Sequence, residues 1–347
     1  MKLRDLFTHP IIQAPMAGVS TPALAAAVCN AGALGSIGIG ASLQSAAERM
    51  IGDTRALTAA PFNVNVFCHA PPQRDAAIEA EWLIFLTPLF QEFGAVTPTG
   101  LNEIYRSFID DDDALRMLLD MRPAVVSFHF GLPSQDRIQA LHDAGVFTMA
   151  TATNLDEARQ IERAGISAIV AQGIEAGGHR GQFDPSQLDP ELSMSVLVSL
   201  LVRHVSIPVI AAGGIMDTGG IKAALALGAS AVQMGTAFIL CPESAADASY
   251  RASLKSDRVY DTRLTTAISG RPARGLANRF MIMSATGPAA PSYPVAYDAG
   301  KALHAAAKAR GNNEFAAQWA GRGAPFIQDL PAADLISLLI RGLDAVR

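Results

Sequence analysis

The chain has 347 residues, of which 50% are hydrophobic and 17% charged, with a formal net charge of -5 and a pI near 5.8. That composition supplies a large core and excludes a disordered chain, and the acidic balance leaves no basic footprint for nucleic acid. The three cysteines (Cys29, Cys68 and Cys241) form no C-x-x-C pair, and their odd number excludes a complete disulfide framework, as expected in a reducing cytoplasm.

Met1 to Pro10 interleaves charges from the start, so no signal peptide is expected. No stretch reaches about 18 uninterrupted apolar residues, so no membrane span is expected either.

Along the chain, short β-branched runs alternate with helical patterns. Ile11 to Met16 reads as a first strand, followed by an Ala-rich helix from Pro22 to Asn30. Leu34 to Ile39 is the second strand, followed by a helix near Leu43 to Ala56, and Phe62 to Phe67 is the third. An insertion over about 70–122 carries helical patterns at Ala76 to Phe93 and Leu101 to Met121, and the Asp110 to Asp113 run inside it suits a solvated helix start. The remaining strands are Ala124 to Phe130, Phe147 to Ala152 (with Asn154 as the next N-cap), Ala168 to Gln172, Pro208 to Ala212 and Ala231 to Met234.

Near-continuous apolar strands alternating with helices indicate a parallel sheet buried on both faces. Eight such units favour an α/β fold of the (β/α)₈ TIM-barrel type, with an open doubly wound sheet as the alternative. The barrel spans 1–240. From 241 to 347 the pattern stops, and a C-terminal helical lid or side domain is expected.

Barrel active sites lie at the C-terminal ends of the strands, and the chemically unusual residues collect there. Met16 closes the first strand, Asn65 lies near the end of the third and His129 near the end of the fourth, and Thr151 and Thr153 stand where the fifth ends. Gln172 ends the sixth and leads into Glu175-Ala176-Gly177-Gly178-His179-Arg180-Gly181. Gly213-Gly214 and Gly235-Thr236 close the last two strands, where backbone N–H groups hold a phosphate without needing Lys or Arg. A histidine inside a glycine-rich rim loop suits acid–base work, so His179 is the candidate catalytic residue. His129 divides evenly between a structural and a functional role, His69 is placed at the mouth after the third strand, and His9, His142, His204 and His304 are read as structural. No H-E-x-x-H or Cys/His cluster occurs, so no metal is expected. There is no G-x-S-x-G elbow, and Gly35 to Gly40 lacks the spacing of a nucleotide loop.

Taken together, Gln13-Ala14-Pro15-Met16-Ala17-Gly18, Ala150-Thr151-Ala152-Thr153, Gln172 to Gly181, Ala211-Ala212-Gly213-Gly214-Ile215 and Gln233-Met234-Gly235-Thr236 resemble the nitronate monooxygenase family, class I, formerly called 2-nitropropane dioxygenases. The likeness extends to Ser269 to Arg274 and Gln318 to Gly321. It implies a flavoprotein that binds FMN and uses O₂ to oxidise alkyl nitronates such as propionate 3-nitronate, through a flavosemiquinone, to a carbonyl product and nitrite. It places FMN on Met16, Asn65, Thr151, Gln172, Gly177, Gly178, Gly213, Gly214 and Gln233 to Thr236, makes His179 the active-site histidine, and puts Tyr105, His129, Tyr293, Tyr297 and Lys301 against the substrate. The rival readings are an NAD(P)H-dependent FMN enoyl reductase on the same barrel and a flavin- or phosphate-binding barrel without turnover. The exposed faces carry no signal for an oligomeric state.

Overall fold

The computed structural model describes residues 1–344. Its strands in chain order are β1 (Ile11–Gln13), β2 (Gly35–Gly38), β3 (Phe62–Phe67), β4 (Val125–His129), β5 (Phe147–Ala152), β6 (Ala168–Gln172), β7 (Gly178–His179), β8 (Val209–Ala212), β9 (Ala231–Met234), β10 (Thr262–Thr265) and β11 (Ala273–Leu276). Eight of them form one parallel sheet in the order β1-β9-β8-β6-β5-β4-β3-β2. A parallel bridge between Ile12 and Leu34 joins its two ends, so the sheet is a closed barrel rather than an open doubly wound one.

The helices are α1 (Pro22–Asn30), α2 (Gln44–Leu57), α3 (Ala76–Glu92), α4 (Asp112–Met121), α5 (Gln135–Asp143), α6 (Leu155–Arg163), α7 (Met194–Val202), α8 (Thr218–Ala226), α9 (Ala248–Leu254), α10 (Arg279–Ser284), α11 (Val295–Lys308) and α12 (Ala332–Asp344). Local chemistry starts them: Thr21, Asn154, Ser193 and Asp217 cap α1, α6, α7 and α8 by accepting a backbone N–H two or three residues into the helix.

The period of two along each strand decides where the chemistry goes. On β6, Ile169 and Ala171 face the helices, while Ala168 and Val170 face the barrel interior with Leu3 and Leu6 plugging its base. The next inward position is Gln172. β5 repeats the pattern with Met149 inward at the base and Thr151 above it, and β9 with Ala231 inward and Gln233 above. On these strands the interior is apolar at its N-terminal end and polar in its last layer, while β2 and β3 carry a buried Ser36–Asn63 hydrogen bond deeper in the barrel.

The two expected additions share one core. Trp82, Leu86 and Phe90 of α3 pack with Phe280, Leu303 and Phe315 from the far end of the chain. The second insertion helix begins only at Asp112, because Asp111 is its N-cap. Residues 101–107 are irregular, which frees Tyr105 to turn towards the barrel mouth. The segment after 240 is not all lid or side domain. β7, β10 and β11 form a small antiparallel sheet, with His179 paired to Ala273. α12 then returns to the barrel beside α1 and α8 and buries Ala332, Leu335, Ile336 and Leu339 as the eighth outer helix.

If α12 belongs to the barrel wall, Ile336→Ala, at a fully buried position, costs about 2–4 kcal/mol of stability in urea denaturation. Leu338→Ala, at a position 43% exposed on the same helix, costs under about 1 kcal/mol. Equal small losses would detach α12 from the core.

Candidate active site

One cavity of about 630 Å³ opens at the C-terminal rim of the barrel, within the usual size of a cofactor or substrate site. Every residue that the resemblance assigns to cofactor, substrate or catalysis lines it. Met16, Asn65, His129, Thr151, Gln172, Gly177, Gly178 and His179 come from the first six strands and their loops. Gly213, Gly214, Gln233, Met234, Gly235 and Thr236 follow β8 and β9, while Tyr105, Tyr293, Tyr297 and Lys301 come down from the side domain.

The loop after β6 is held by hydrogen bonds that use up nearly all of Gln172. Its Nε2 donates to the His179 carbonyl at 3.0 Å, and its Oε1 accepts from the Gly181 amide at 2.8 Å. Arg180, 1% exposed, donates to the Gln172 and Gly173 carbonyls and is neutralised by both oxygens of Asp189, the nearer at 2.7 Å. Gly181 has no room for a side chain, since a Cβ there would lie 2.4 Å from Thr151 Cγ2 and 2.9 Å from His129 Cε1.

His129 helps to pin the same carbonyl. Its Nε2 lies 3.2 Å from the His179 oxygen, and its Nδ1 lies 3.0 Å from Thr151 Oγ1. A carbonyl only accepts, so Nε2 carries the proton, Nδ1 is the acceptor and Thr151 donates. Its place is thus both on the cavity wall and in the support of His179.

The turns after β8 and β9 have the form of an anion cradle. Gly213 and Gly214 adopt φ of 122° and 70°, which L side chains resist. Among the described residues the Gly214 and Thr236 amides donate to no protein group. The segment from Trp319 to Gly323 closes over these turns: the Gly321 amide donates to Thr236 Oγ1 at 3.0 Å, and a Cβ on Gly177 would lie 2.4 Å from that amide nitrogen. Gly178, with φ of 75°, faces open space on the cavity wall.

The opposite wall is aromatic and basic. Phe130, in left-handed backbone at φ 77°, meets His179 edge-on with centroids 5.6 Å apart. The Arg271 guanidinium lies 4.4 Å from the Phe130 centroid. Arg271 is 3% exposed and has no carboxylate within 4.0 Å among the described residues, so a positive charge without a direct ion-pair partner, supported only at longer range by Glu157 and Asp184, lies behind the site. The Tyr105 and Tyr297 rings meet at a tilt of 54° with centroids 5.8 Å apart, and the Lys301 ammonium sits 4.8 Å from the Tyr105 ring centroid. Burial raises the pKa of Tyr105, Tyr293 and Tyr297, which keeps these phenols protonated and able to donate.

The histidines behave oppositely. Burial, then the neighbouring His129 and Arg271 charges, lowers His179 to about 3. Burial lowers His129 and His69 to about 4, with Arg271 contributing to both. His179 is therefore a neutral imidazole at neutral pH and not, as its ordinary pKa suggests, a group poised to gain a proton there. The surface it exposes is cavity wall.

Two histidine placements differ from the sequence reading. His69 does not line the mouth: it is fully buried behind Tyr293, at 5.0 Å between ring centroids. His304 does line the cavity, because α11 carries Tyr297, Lys301 and His304 on one face at i, i+4 and i+7. Sequence reasoning also passed over Ser269, Phe130 and Trp319 as site residues. Trp319 lay in a segment already noted, but its contact with His179, 5.3 Å between centroids, needed the fold. Among the described residues no group of three His, Cys, Asp or Glu side chains is arranged to hold a metal ion.

The family described as "Nitronate monooxygenase" matches residues 1–342. Proteins named nitronate monooxygenase from Paraburkholderia phytofirmans and Pseudomonas aeruginosa are 56% and 57% identical, over 96% and 98% of this chain and 92% and 99% of theirs. Among solved structures, a nitroalkane oxidase from Streptomyces ansochromogenes is 41% identical with a TM-score of 0.90, covering 99% of this chain and 97% of that one. FabK from Thermotoga maritima is more distant, at 30% identity and a TM-score of 0.74 over 99% of this chain and 95% of that one.

The buried histidines make the fold acid-labile in a defined window. Their folded pKa values lie below the unfolded value of about 6.5, so the native state binds fewer protons. Their contribution is complete above pH 6.5 and is lost as pH falls towards 4, by up to about 1.4 kcal/mol per unit for each histidine. Urea midpoints should fall already between pH 6.5 and 5, above the range where most carboxylates titrate. A flat profile there contradicts the assignment.

Proposed function

The chain belongs to the nitronate monooxygenase family, and on that premise we propose that it is an FMN-dependent enzyme that oxidises alkyl nitronates, propionate 3-nitronate among them, with O₂ to a carbonyl compound and nitrite. The observation that carries this reading is a convergence in one cavity: an anion cradle on one side, a cluster of protonated phenols and an ammonium on the other, and a polar rim between them.

The residues present fit FMN. The glycine turns after β8 and β9 leave backbone amides open to a phosphate where side chains would crowd them. Asn65 donates through Nδ2 to Ser127, leaving Oδ1 as an acceptor for a ring N–H. Gln233 lines the cavity with no protein partner among the described residues, and Met16, Thr151, Gly177, Gly178 and Met234 complete the wall. Gln172 is bound mostly to protein, so its main service to the cofactor is the shape of the loop. When bound, the flavin supplies one-electron chemistry between the electron-rich nitronate and O₂.

The chain's own residues handle the anion. The Tyr105 and Tyr297 hydroxyls and the Lys301 ammonium bind the nitronate oxygens or its carboxylate, and Arg271 favours negative charge from behind the wall. Phe130, Tyr293 and Trp319 limit water. The three cysteines are buried and free, in keeping with a cytoplasmic enzyme, and no described helix is long and apolar enough to cross a membrane.

Anaerobic mixing of the yellow protein with propionate 3-nitronate should change the visible flavin spectrum within seconds. Rapid bleaching by NADH with no response to the nitronate would instead support the enoyl reductase reading. Lys301→Met is expected to raise KM for a carboxylated nitronate about tenfold and to leave KM for an uncharged alkyl nitronate within about twofold.

A further inference from the structure

The proposed reading makes His179 the active-site histidine without saying which of its nitrogens faces the ligands. The hydrogen bonds around Ser269 decide it. Ser269 is fully buried in the turn before β11, and its Oγ has three neighbours: His179 Nε2 at 2.9 Å, the Arg271 carbonyl at 3.1 Å and the Arg271 amide at 3.3 Å. The amide only donates and the carbonyl only accepts. The single hydroxyl proton therefore serves the carbonyl, and the imidazole must donate to the hydroxyl oxygen for all three contacts to be made. The opposite arrangement, with Ser269 donating to Nε2, leaves the buried Arg271 carbonyl without this donor.

We propose that Ser269 is a positioning residue that holds His179 as the Nε2–H tautomer, so that Nδ1 meets the ligands as a bare acceptor. The ring lines the cavity, and among the described residues its one side-chain hydrogen bond is the Nε2 contact with Ser269, which leaves Nδ1 without a protein partner there. Its backbone carbonyl is meanwhile gripped by Gln172 and His129, and Trp319 and Phe130 meet the ring at 5.3 and 5.6 Å. The ring cannot readily turn over to exchange its two nitrogens.

The consequence is a cavity in which unlike groups adjoin, with the His179 and Tyr297 ring centroids 6.1 Å apart. The phenols of Tyr105 and Tyr297 and the Lys301 ammonium offer hydrogens, while His179 Nδ1 offers a lone pair. Anionic oxygens are drawn to the phenols and the ammonium and repelled by the Nδ1 lone pair, so an anion carrying a C–H or another hydrogen binds with that end towards His179. The inference rests on the proposed reading for the identity of the anion, but the tautomer stands by itself.

The test is ¹⁵N NMR of the holoenzyme labelled at histidine, at pH 7 without substrate, with His179→Gln assigning the signals by their disappearance. The expected result is a protonated-type Nε2 and an unprotonated-type Nδ1. In Ser269→Ala the two signals shift towards an average of the tautomers, kcat/KM for the nitronate falls about tenfold, the scale of one lost hydrogen bond, and Ser269→Thr restores most of both. A protonated Nδ1 in the wild-type protein overturns the proposal, and that measurement needs no variant to fold. Ser269→Ala with unchanged signals and turnover overturns it as well. A correct tautomer in a protein that ignores nitronates leaves the inference intact and removes the nitronate reading instead.

Discussion

The Gln172 side-chain amide ties the last interior layer of the barrel to the loop that forms the active-site wall. It sits at the end of β6, accepts from the Gly181 amide and donates to the His179 carbonyl. A free glycine-rich loop is conformationally costly to order. Here the order comes from buried bonds that the loop makes with the barrel, from the Arg180–Asp189 pair and from the edge of β11. Leaving the Gln172 amide without partners in this interior would cost more than the bonds themselves contribute, so the loop and the barrel rim specify each other.

A second constraint runs through the side domain. Its core joins α3, inserted after β3, to α11 and the Phe315 segment, more than 200 residues later in the chain. Tyr105 enters the cavity from the first segment, and Tyr297 and Lys301 from the second. The donor wall is therefore assembled only when both segments pack, and the return of α12 to the barrel anchors that assembly at its far end.

Electrostatics follow from the same packing. Arg271 is buried against Phe130 with no carboxylate in direct contact among the described residues, and its charge acts on His69, His129 and His179 together. A positive charge withdrawn from water is felt strongly by its neighbours. Burial is the main cause that keeps the imidazoles neutral, and the guanidinium adds to it while favouring an anion in the cavity, so one buried charge contributes to both the protonation of the wall and the charge preference of the ligand.

The local patterns by themselves determined the barrel, the ends of its strands and the rim candidates, while Tyr105, Tyr293, Tyr297 and Lys301 entered the candidate list through the family resemblance. Apolar runs of four to six residues, caps such as Asn154 and glycines at rim positions are local signals, and the barrel converts the order of strands into the position of their ends. All of the candidates from Met16 to Lys301 reach one cavity. The limits of the sequence appear at residues whose role depends on a distant partner. His69 sounds like a mouth residue but lies buried behind Tyr293, His304 sounds structural but lies on the cavity side of α11, and α12 reads as part of a lid but completes the barrel. The protonation of His179 belongs to the same group. Its ordinary pKa is a property of the residue type, whereas its neutrality and its bond to Ser269, 90 residues away, are properties of burial and neighbouring charge that only the tertiary structure supplies.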